Sequence, residues 1–109
     1  MEIKNAIIED VKISTENGTL SCWLHLDYGD GSQQGFGGYA LYLPKSFKHC
    51  NIHSTAGHFL YRCMEIAGVS DWNAMKGKAI RVKAGYDGVE AIAHIIKEDW
   101  FNPKEDFKV

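Results

Sequence analysis

Cysteines and histidines are the first candidates for chemistry in this chain, which contains three cysteines and five histidines. Four of them, Cys50, His53, His58 and Cys63, form a row of residue types that bind zinc. His58 and Cys63 are five positions apart on a predicted helix, which places them about 140° apart around its axis. Two side chains that point in such different directions from one helix do not easily bind the same metal ion. The spacing therefore predicts no metal site.

The same residue types could support nucleophilic catalysis by a Cys–His pair. Cys22 alternates with leucines on a predicted strand, and Cys63 belongs to the apolar stripe of a predicted helix, so both thiols are expected to be buried. The sequence contains no nucleophile elbow, no phosphate loop and no paired-carboxylate motif. These patterns predict a protein that is not an enzyme and that uses no cofactor.

A glycine-rich run, Gly35-Phe36-Gly37-Gly38-Tyr39, is the next candidate. Phosphate-binding loops follow a strand and open a helix, whereas this run has strand patterns on both sides. Glycine inside a strand is typical of a bulge or of a close backbone approach. Two compatible interpretations stay open. The run bulges or kinks its strand, or it admits a ligand or another chain's backbone where side chains are missing.

Anion recognition is a further candidate. Residues 54–57 open the predicted helix, where backbone amides and hydroxyls suit a phosphate. Arg62 lies two turns further on, and Arg81 and Lys83 alternate on one face of the predicted fourth strand. Both arginines are expected to be exposed. If that strand borders the helix start, these cations converge on a phosphate pair. Alternatively, the cap serves its own helix and the charges form a solvated face.

Aromatic side chains could contact a flat ligand. Trp23 and His25 lie on the face of the second predicted strand opposite its leucine row, and Tyr39 joins them if the register is favourable. Phe36 offers a further ring, and so does Trp100, although the pair Trp100-Phe101 follows a predicted strand and such aromatics more often seal a core edge. An aromatic sheet face that the helix leaves open invites a partner, most simply a second copy of the chain.

Alternating apolar and polar residues predict strands on both sides of the helix. A long first strand begins at Ile3, and Asn17-Gly18 and Asp87-Gly88 are strong hairpin signals. The other predicted elements are strands over 19–28, 33–43, 79–86 and 89–97, a short helical turn over 70–76 and an irregular tail over 99–109.

One long helix is predicted between the third and fourth strands. Apolar residues recur at helical spacing from Ala56 to Ala67, Ser54 or Thr55 provides the N-cap, and Gly68 ends the helix. The order βββ-α-ββ predicts an α+β fold, an antiparallel sheet with one main amphipathic helix packed on one face. Residues 1–109 have the length of a single domain.

Composition excludes several classes of partner. The formal net charge of −2 gives no basic excess, so nucleic-acid binding is not expected. No apolar run approaches the length of a membrane span, and the N-terminal residues lack the apolar stretch of a signal peptide. An odd and sparse set of cysteines is not typical of a secreted disulfide framework. The expected location is the cytoplasm.

Several stretches together carry a resemblance that covers most of the chain. They are residues 24–29, the glycine run, Thr55-Ala56, Gly68-Val69, Trp72, Gly77-Lys78, residues 80–82, residues 94–96 and Trp100-Phe101. In this combination the chain resembles a family of small phage-encoded proteins, the Thoeris anti-defence sponges. The glycine run is the most specific element of the resemblance.

The resemblance implies a non-catalytic role in the cytoplasm of a bacterial host. Proteins of that family capture cyclic ADP-ribose-type signals made by bacterial immune TIR enzymes, in pockets at a dimer interface, and some also bind cyclic trinucleotides in larger assemblies. We therefore expect an immune-evasion protein that forms a homodimer or higher homo-oligomer and sequesters a cyclic nucleotide without cleaving it.

The residues expected to contact the ligand fall into three groups. The rings expected to stack on the ligand are Trp23, Phe36, Tyr39 and Trp100, and the cations expected to contact its phosphates are Arg62, Arg81 and Lys83. His25 is expected to form a hydrogen bond with the ligand, and Gly37 is expected to allow its close approach. A different hypothesis is a protein–protein inhibitor that docks onto a bacterial defence enzyme through the aromatic face. A third is an accessory domain that assembles only with itself.

Overall fold

The computed structural model describes residues 1–16, 19–39, 41 and 55–107. The predicted turn at Asn17-Gly18, the cap at Ser54, and Cys50 and His53 lie outside the described residues. The elements, in chain order, are β1 (Glu2–Glu16), β2 (Thr19–Asp27), β3 (Gln33–Gly37), α1 (Thr55–Ala67), a 3-10 turn (Trp72–Met75), β4 (Ala79–Gly85), β5 (Gly88–His94), β6 (Trp100–Phe101) and α2 (Pro103–Asp106).

The predicted fold class is confirmed. Six strands form one antiparallel sheet in the order β3-β2-β1-β4-β5-β6, with α1 packed against it. The prediction of an irregular C-terminal tail is wrong, because Trp100–Phe101 pairs with β5 and a short helix follows. Asn102 caps that helix by accepting a hydrogen bond from the amide of Lys104, a local signal that the sequence already contained.

The core lies between α1 and the sheet. The apolar stripe of the helix supplies Phe59, Cys63 and Ile66, all buried, as its 3.6-residue spacing requires. The ring of Phe36 is 0 % exposed and stacks on Phe59 with centroids 5.6 Å apart. Phe101 meets both rings edge-on. Aromatic rings packed in this way stabilise the folded state by more than their buried area alone would.

A β-bulge divides β1 into two halves in which the alternation between helix-side and open-side residues is out of step. The register with β2 shifts between Ile8 and Asp10. Val11 pairs with buried Leu24 and faces α1, because directly paired residues share a face of the sheet. Ile7, before the bulge, lies on the other face and is exposed. One strand therefore contributes apolar side chains to both faces.

The sheet curls towards the side that carries α1. Gln34 pairs with buried Leu26 and so lies on that side. Its Nε2 donates a hydrogen bond to the carbonyl of Gly85 at 3.1 Å. β3 and β4 are three strand spacings apart in the sheet, which is about 14 Å in a flat sheet. Only a strongly curled sheet brings them within one side chain of each other.

Candidate functional site

The sheet face opposite α1, called here the open face, carries five of the predicted ligand contacts. These are Trp23, His25, Arg81, Lys83 and Trp100, assigned to this face because the residues directly before or after each of them in its strand belong to the buried, helix-side rows. The expectation that Trp23 and His25 lie opposite the leucine row is confirmed. Ile3, Ile7 and Trp23 on this face are 57, 43 and 38 % exposed.

The open face separates these residues into two groups. Trp23 pairs with Lys12 near one end of β1, whereas the row of Arg81 and Trp100 meets β1 at Asn5. Seven residues of extended chain correspond to about 20 Å. One small ligand cannot contact both tryptophans, so the structure does not bring the predicted site together.

The glycine run makes room for an indole of the same chain. A Cβ at Gly38 would overlap the ring of Trp23, and one at Gly35 would lie 2.9 Å from the same ring. Gly37 has φ +127°, and a Cβ there would overlap the carbonyl oxygen of Cys22. The group that approaches the run is therefore Trp23 of the same chain, together with the backbone of Cys22. The pairing of Gln33–Gly37 with β2 shows no bulge, and the approach of a ligand or of another chain stays a prediction.

Phe36 and Tyr39 lie on the helix side of the sheet. The expectation that Phe36 stacks on a ligand does not fit its fully buried position in the aromatic core. Tyr39 is half-buried beside Phe36 and Phe59, with ring centroids 6.3 and 6.2 Å away. Burial and the nearby carboxylate of Glu90 raise the pKa of the Tyr39 phenol. Neither ring shares a surface with Trp23.

Arg62 is held by acceptors of its own chain. It donates to Asp99 at 2.9 and 3.3 Å, to Glu65 at 2.6 Å and to the carbonyl of Trp100 at 3.0 Å. The bond to Asp99 raises the pKa of the guanidinium further above its ordinary value. Arg62 was expected to be exposed, but its side chain is only 18 % accessible.

Arg81 is held in the same way from the opposite face. It donates to the carbonyls of His94 and Lys97 at 3.0 and 2.8 Å and pairs with Glu98 at 2.8 Å. Its side chain is 19 % accessible, so the expectation of an exposed arginine is wrong here too. Arg62 and Arg81 together clamp the connection between β5 and β6. Arg81 also lies on the face away from α1, so it does not converge with the helix start.

Lys83 and Trp100 remain at the surface of the open face. The ammonium of Lys83 lies 5.5 Å from the centroid of the Trp100 ring, and the guanidinium of Arg81 lies 5.4 Å from it. Trp100 also donates its indole N–H to Glu98 at 3.2 Å. These cation–π contacts hold the indole against β4. A role of Lys83 or Trp100 in ligand binding stays a prediction.

The Arg62 clamp predicts a pH dependence of stability. The bond from Arg62 holds the pKa of Asp99 below its ordinary value, so ionised Asp99 favours the folded state. This stabilisation is fully present above about pH 3.9, the value of an unfolded aspartate, and is lost as the pH falls through the lower folded pKa. Because the carboxylate is half-exposed, the effect is small.

We expect an Asp99→Asn variant to be less stable than the original chain at pH 7, with the difference shrinking as the pH falls below about 3.9, the value of an unfolded aspartate. Denaturant unfolding of both proteins at several pH values measures this difference, and the other titrating groups cancel in the comparison. A difference that stays constant down to the lowest pH would contradict the clamp.

The described cysteines are poor nucleophiles. Burial raises the pKa of the Cys22 thiol to about 12 and the pKa of the Cys63 thiol well above its ordinary value. The thiolate is the reactive form, and at neutral pH both groups carry their protons. Within the described part of the chain, no three His, Cys, Asp or Glu side chains come together in a group that could hold a metal ion.

A pocket of about 770 Å³ lies on the concave side of the sheet, beside the hydrogen bond from Gln34 to Gly85. We call it the end pocket; Lys4, Tyr28, Gln34, Gly85 and Tyr86 define it, with Glu2 at its rim. The ammonium of Lys4 lies 4.9 Å from the centroid of the Tyr28 ring. The Tyr28 hydroxyl donates to Oε1 of Gln34 at 2.5 Å.

The sequence did not point to this pocket. Its residues come from the start of β1, the end of β2, β3 and the turn between β4 and β5, and only the curl of the sheet unites them. Local signals existed for the turns that flank Tyr28 and Tyr86, but a turn signal carries no information about which distant turn lies beside it.

The fold and site together define an antiparallel α+β domain with one concave pocket at the end of its sheet. Comparisons of the chain with protein-family models, curated proteins and solved structures find no match. None of the described helices combines the length and the apolar character that a membrane crossing requires.

Proposed function

We propose that the protein captures a small nucleotide-type ligand in the end pocket and sequesters it without cleaving it. The observation that carries the proposal is a pocket of about 770 Å³ in which an aromatic ring, a cation and an amide converge. Ligand pockets typically measure roughly 300–1,000 Å³ and combine apolar walls with a few placed polar groups. The resemblance to anti-defence sponges supports a cyclic ADP-ribose isomer or a cyclic oligonucleotide as the ligand.

The base and the phosphate of a nucleotide each have a matching group in the end pocket. The ring of Tyr86 is fully exposed and offers a surface for base stacking. Among the described residues, the ammonium of Lys4 forms an ion pair with the exposed carboxylate of Glu2, at 3.8 Å. Such surface pairs contribute little, so the ammonium can turn to a phosphate, to which charge-assisted hydrogen bonds are stronger.

A second candidate function is docking to a protein through the open face, as an inhibitor or as a homo-oligomer. The specific observation in its favour is that Ile3, Ile7 and Trp23 are exposed on the same side of one sheet. Large apolar side chains exposed along one face of a sheet can serve as a protein contact surface. This candidate predicts no small ligand and a stoichiometric complex.

Calorimetric titration of the purified protein with cyclic ADP-ribose isomers and cyclic di- and trinucleotides tests the proposal. Two lysine variants of equal charge change, Lys4→Met in the end pocket and Lys83→Met on the open face, form a matched pair. We expect Lys4→Met to weaken binding roughly tenfold or more, because one charge-assisted hydrogen bond is lost, and Lys83→Met to leave binding unchanged.

If Lys83→Met weakened binding and Lys4→Met left it unchanged, the ligand would lie on the open face beside Trp100. Chromatography of ligand released by heat provides the second readout, and recovery of a cleaved product would contradict sequestration. Absence of binding across the whole panel would favour the protein-docking candidate, which size-exclusion chromatography and a binding assay with defence enzymes would then test.

A further inference from the structure

The amide of Gln34 is fixed from two sides. The carbonyl of Gly85 can only accept, so the atom of the Gln34 amide that faces it at 3.1 Å is the nitrogen. The amide oxygen therefore faces the Tyr28 hydroxyl, which donates to it at 2.5 Å. Burial, and then the charge of Asp30, raise the pKa of the Tyr28 phenol, so the hydroxyl keeps the proton that it donates.

Toward the described residues, the fixed amide leaves one donor and one acceptor unused. An amide nitrogen carries two hydrogens and an amide oxygen has two lone pairs, and the two internal bonds use one of each. Gln34 lines the end pocket. A side-chain amide that presents both a donor and an acceptor is the group that recognises the N6 and N7 atoms of adenine.

We propose that Gln34 makes the end pocket selective for adenine, with the amide oxygen accepting from N6 and the amide nitrogen donating to N7. This inference rests on the proposed function and names the base that the same site recognises. Guanine and hypoxanthine present oxygen at position 6, so the amide oxygen would face another acceptor. A buried acceptor left without a donor destabilises the complex. Because Tyr28 and Gly85 hold the amide, it cannot turn over to accommodate these bases without losing both internal bonds.

Changes in the ligand test the inference without altering the fold. The probes are AMP, 7-deaza-AMP, which lacks N7, and IMP, which replaces the N6 amino group by oxygen, each titrated into the full chain. We expect AMP to bind about tenfold more tightly than either analogue, the discrimination typical of one base-edge contact. In Gln34→Met, a variant of similar shape, the three affinities should become equal.

The outcomes separate this inference from the proposed function. Equal binding of AMP and 7-deaza-AMP by the original chain would overturn the role of Gln34 and leave nucleotide capture standing. The same holds if Gln34→Met retains the preference for AMP. If none of the three probes and no cyclic nucleotide binds, both proposals fall. A folding check by circular dichroism accompanies the variant, and the analogue comparison in the original chain decides the question even if the variant fails to fold.

Discussion

A Gly37→Ala variant is expected to lose about 2–5 kcal/mol of its free energy of unfolding. Two effects add at this position. The backbone has φ +127°, a region that side chains with a Cβ rarely adopt. The new methyl group would also overlap the carbonyl oxygen of Cys22. Cys22 belongs to β2, which is paired on both sides, so this backbone atom cannot move aside as a flexible side chain can. A small domain has only about 5–15 kcal/mol to lose.

Gly31→Ala provides the matched control for this variant. Gly31 also has a positive φ, of 89°, but a Cβ there would meet nothing within 4 Å, so it reports the backbone strain alone. Urea denaturation followed by tryptophan fluorescence measures both variants. If Gly37→Ala were no less stable than Gly31→Ala, the overlap with β2 would be relieved by a backbone shift, and the glycine run would not be required by the packing described above.

The sequence predicted those parts of the fold that local patterns determine. Apolar spacing gave α1 and its buried face, because a helix repeats every 3.6 residues whatever surrounds it. Alternation placed Cys22 and Trp23 on opposite faces of β2 for the same reason. Gly68 follows the last residue of α1, as predicted, and its amide bonds back to the carbonyl of Glu65.

The predicted site failed where it depended on long-range geometry. Arg62 and Arg81 were assigned to phosphates on the assumption that the fourth strand borders the start of the helix. Apart from Glu65, which lies three residues from Arg62 on α1, their partners are Asp99, Glu98 and backbone carbonyls at the ends of the β5–β6 connection, and no local pattern assigns those pairs. A backbone carbonyl has no sequence signature.

The end pocket was missed for a related reason. Nothing near Lys4 or Gln34 in the sequence indicates that the first strand and the third strand meet the β4–β5 turn. That meeting depends on the amount of curl in the sheet, which the packing of the whole core determines. The pocket residues are also ordinary polar and aromatic types, so only their convergence distinguishes them from a solvated surface.

A Phe36→Ala variant is expected to lose about 3–5 kcal/mol of its free energy of unfolding. The ring is fully buried, and it lies against Phe59 on one face and meets Phe101 edge-on. Truncation would remove both aromatic contacts and leave a cavity at the junction of β3, α1 and β6. The surrounding strands cannot collapse into that cavity without breaking the sheet pairing, so little of the loss is recovered.

Tyr86→Ala and Phe36→Leu separate the core role of Phe36 from a role in ligand binding. The exposed Tyr86 ring makes no comparable contact, and its removal should change stability by no more than about 0.5 kcal/mol.

Phe36→Leu fills most of the cavity and should recover much of the stability lost in Phe36→Ala, while any nucleotide affinity stays that of the original chain. A stable Phe36→Leu protein that had lost nucleotide binding would show that the ring reaches the ligand after all. Normal affinity in that protein, together with weakened affinity in Tyr86→Ala, would instead place base stacking in the end pocket.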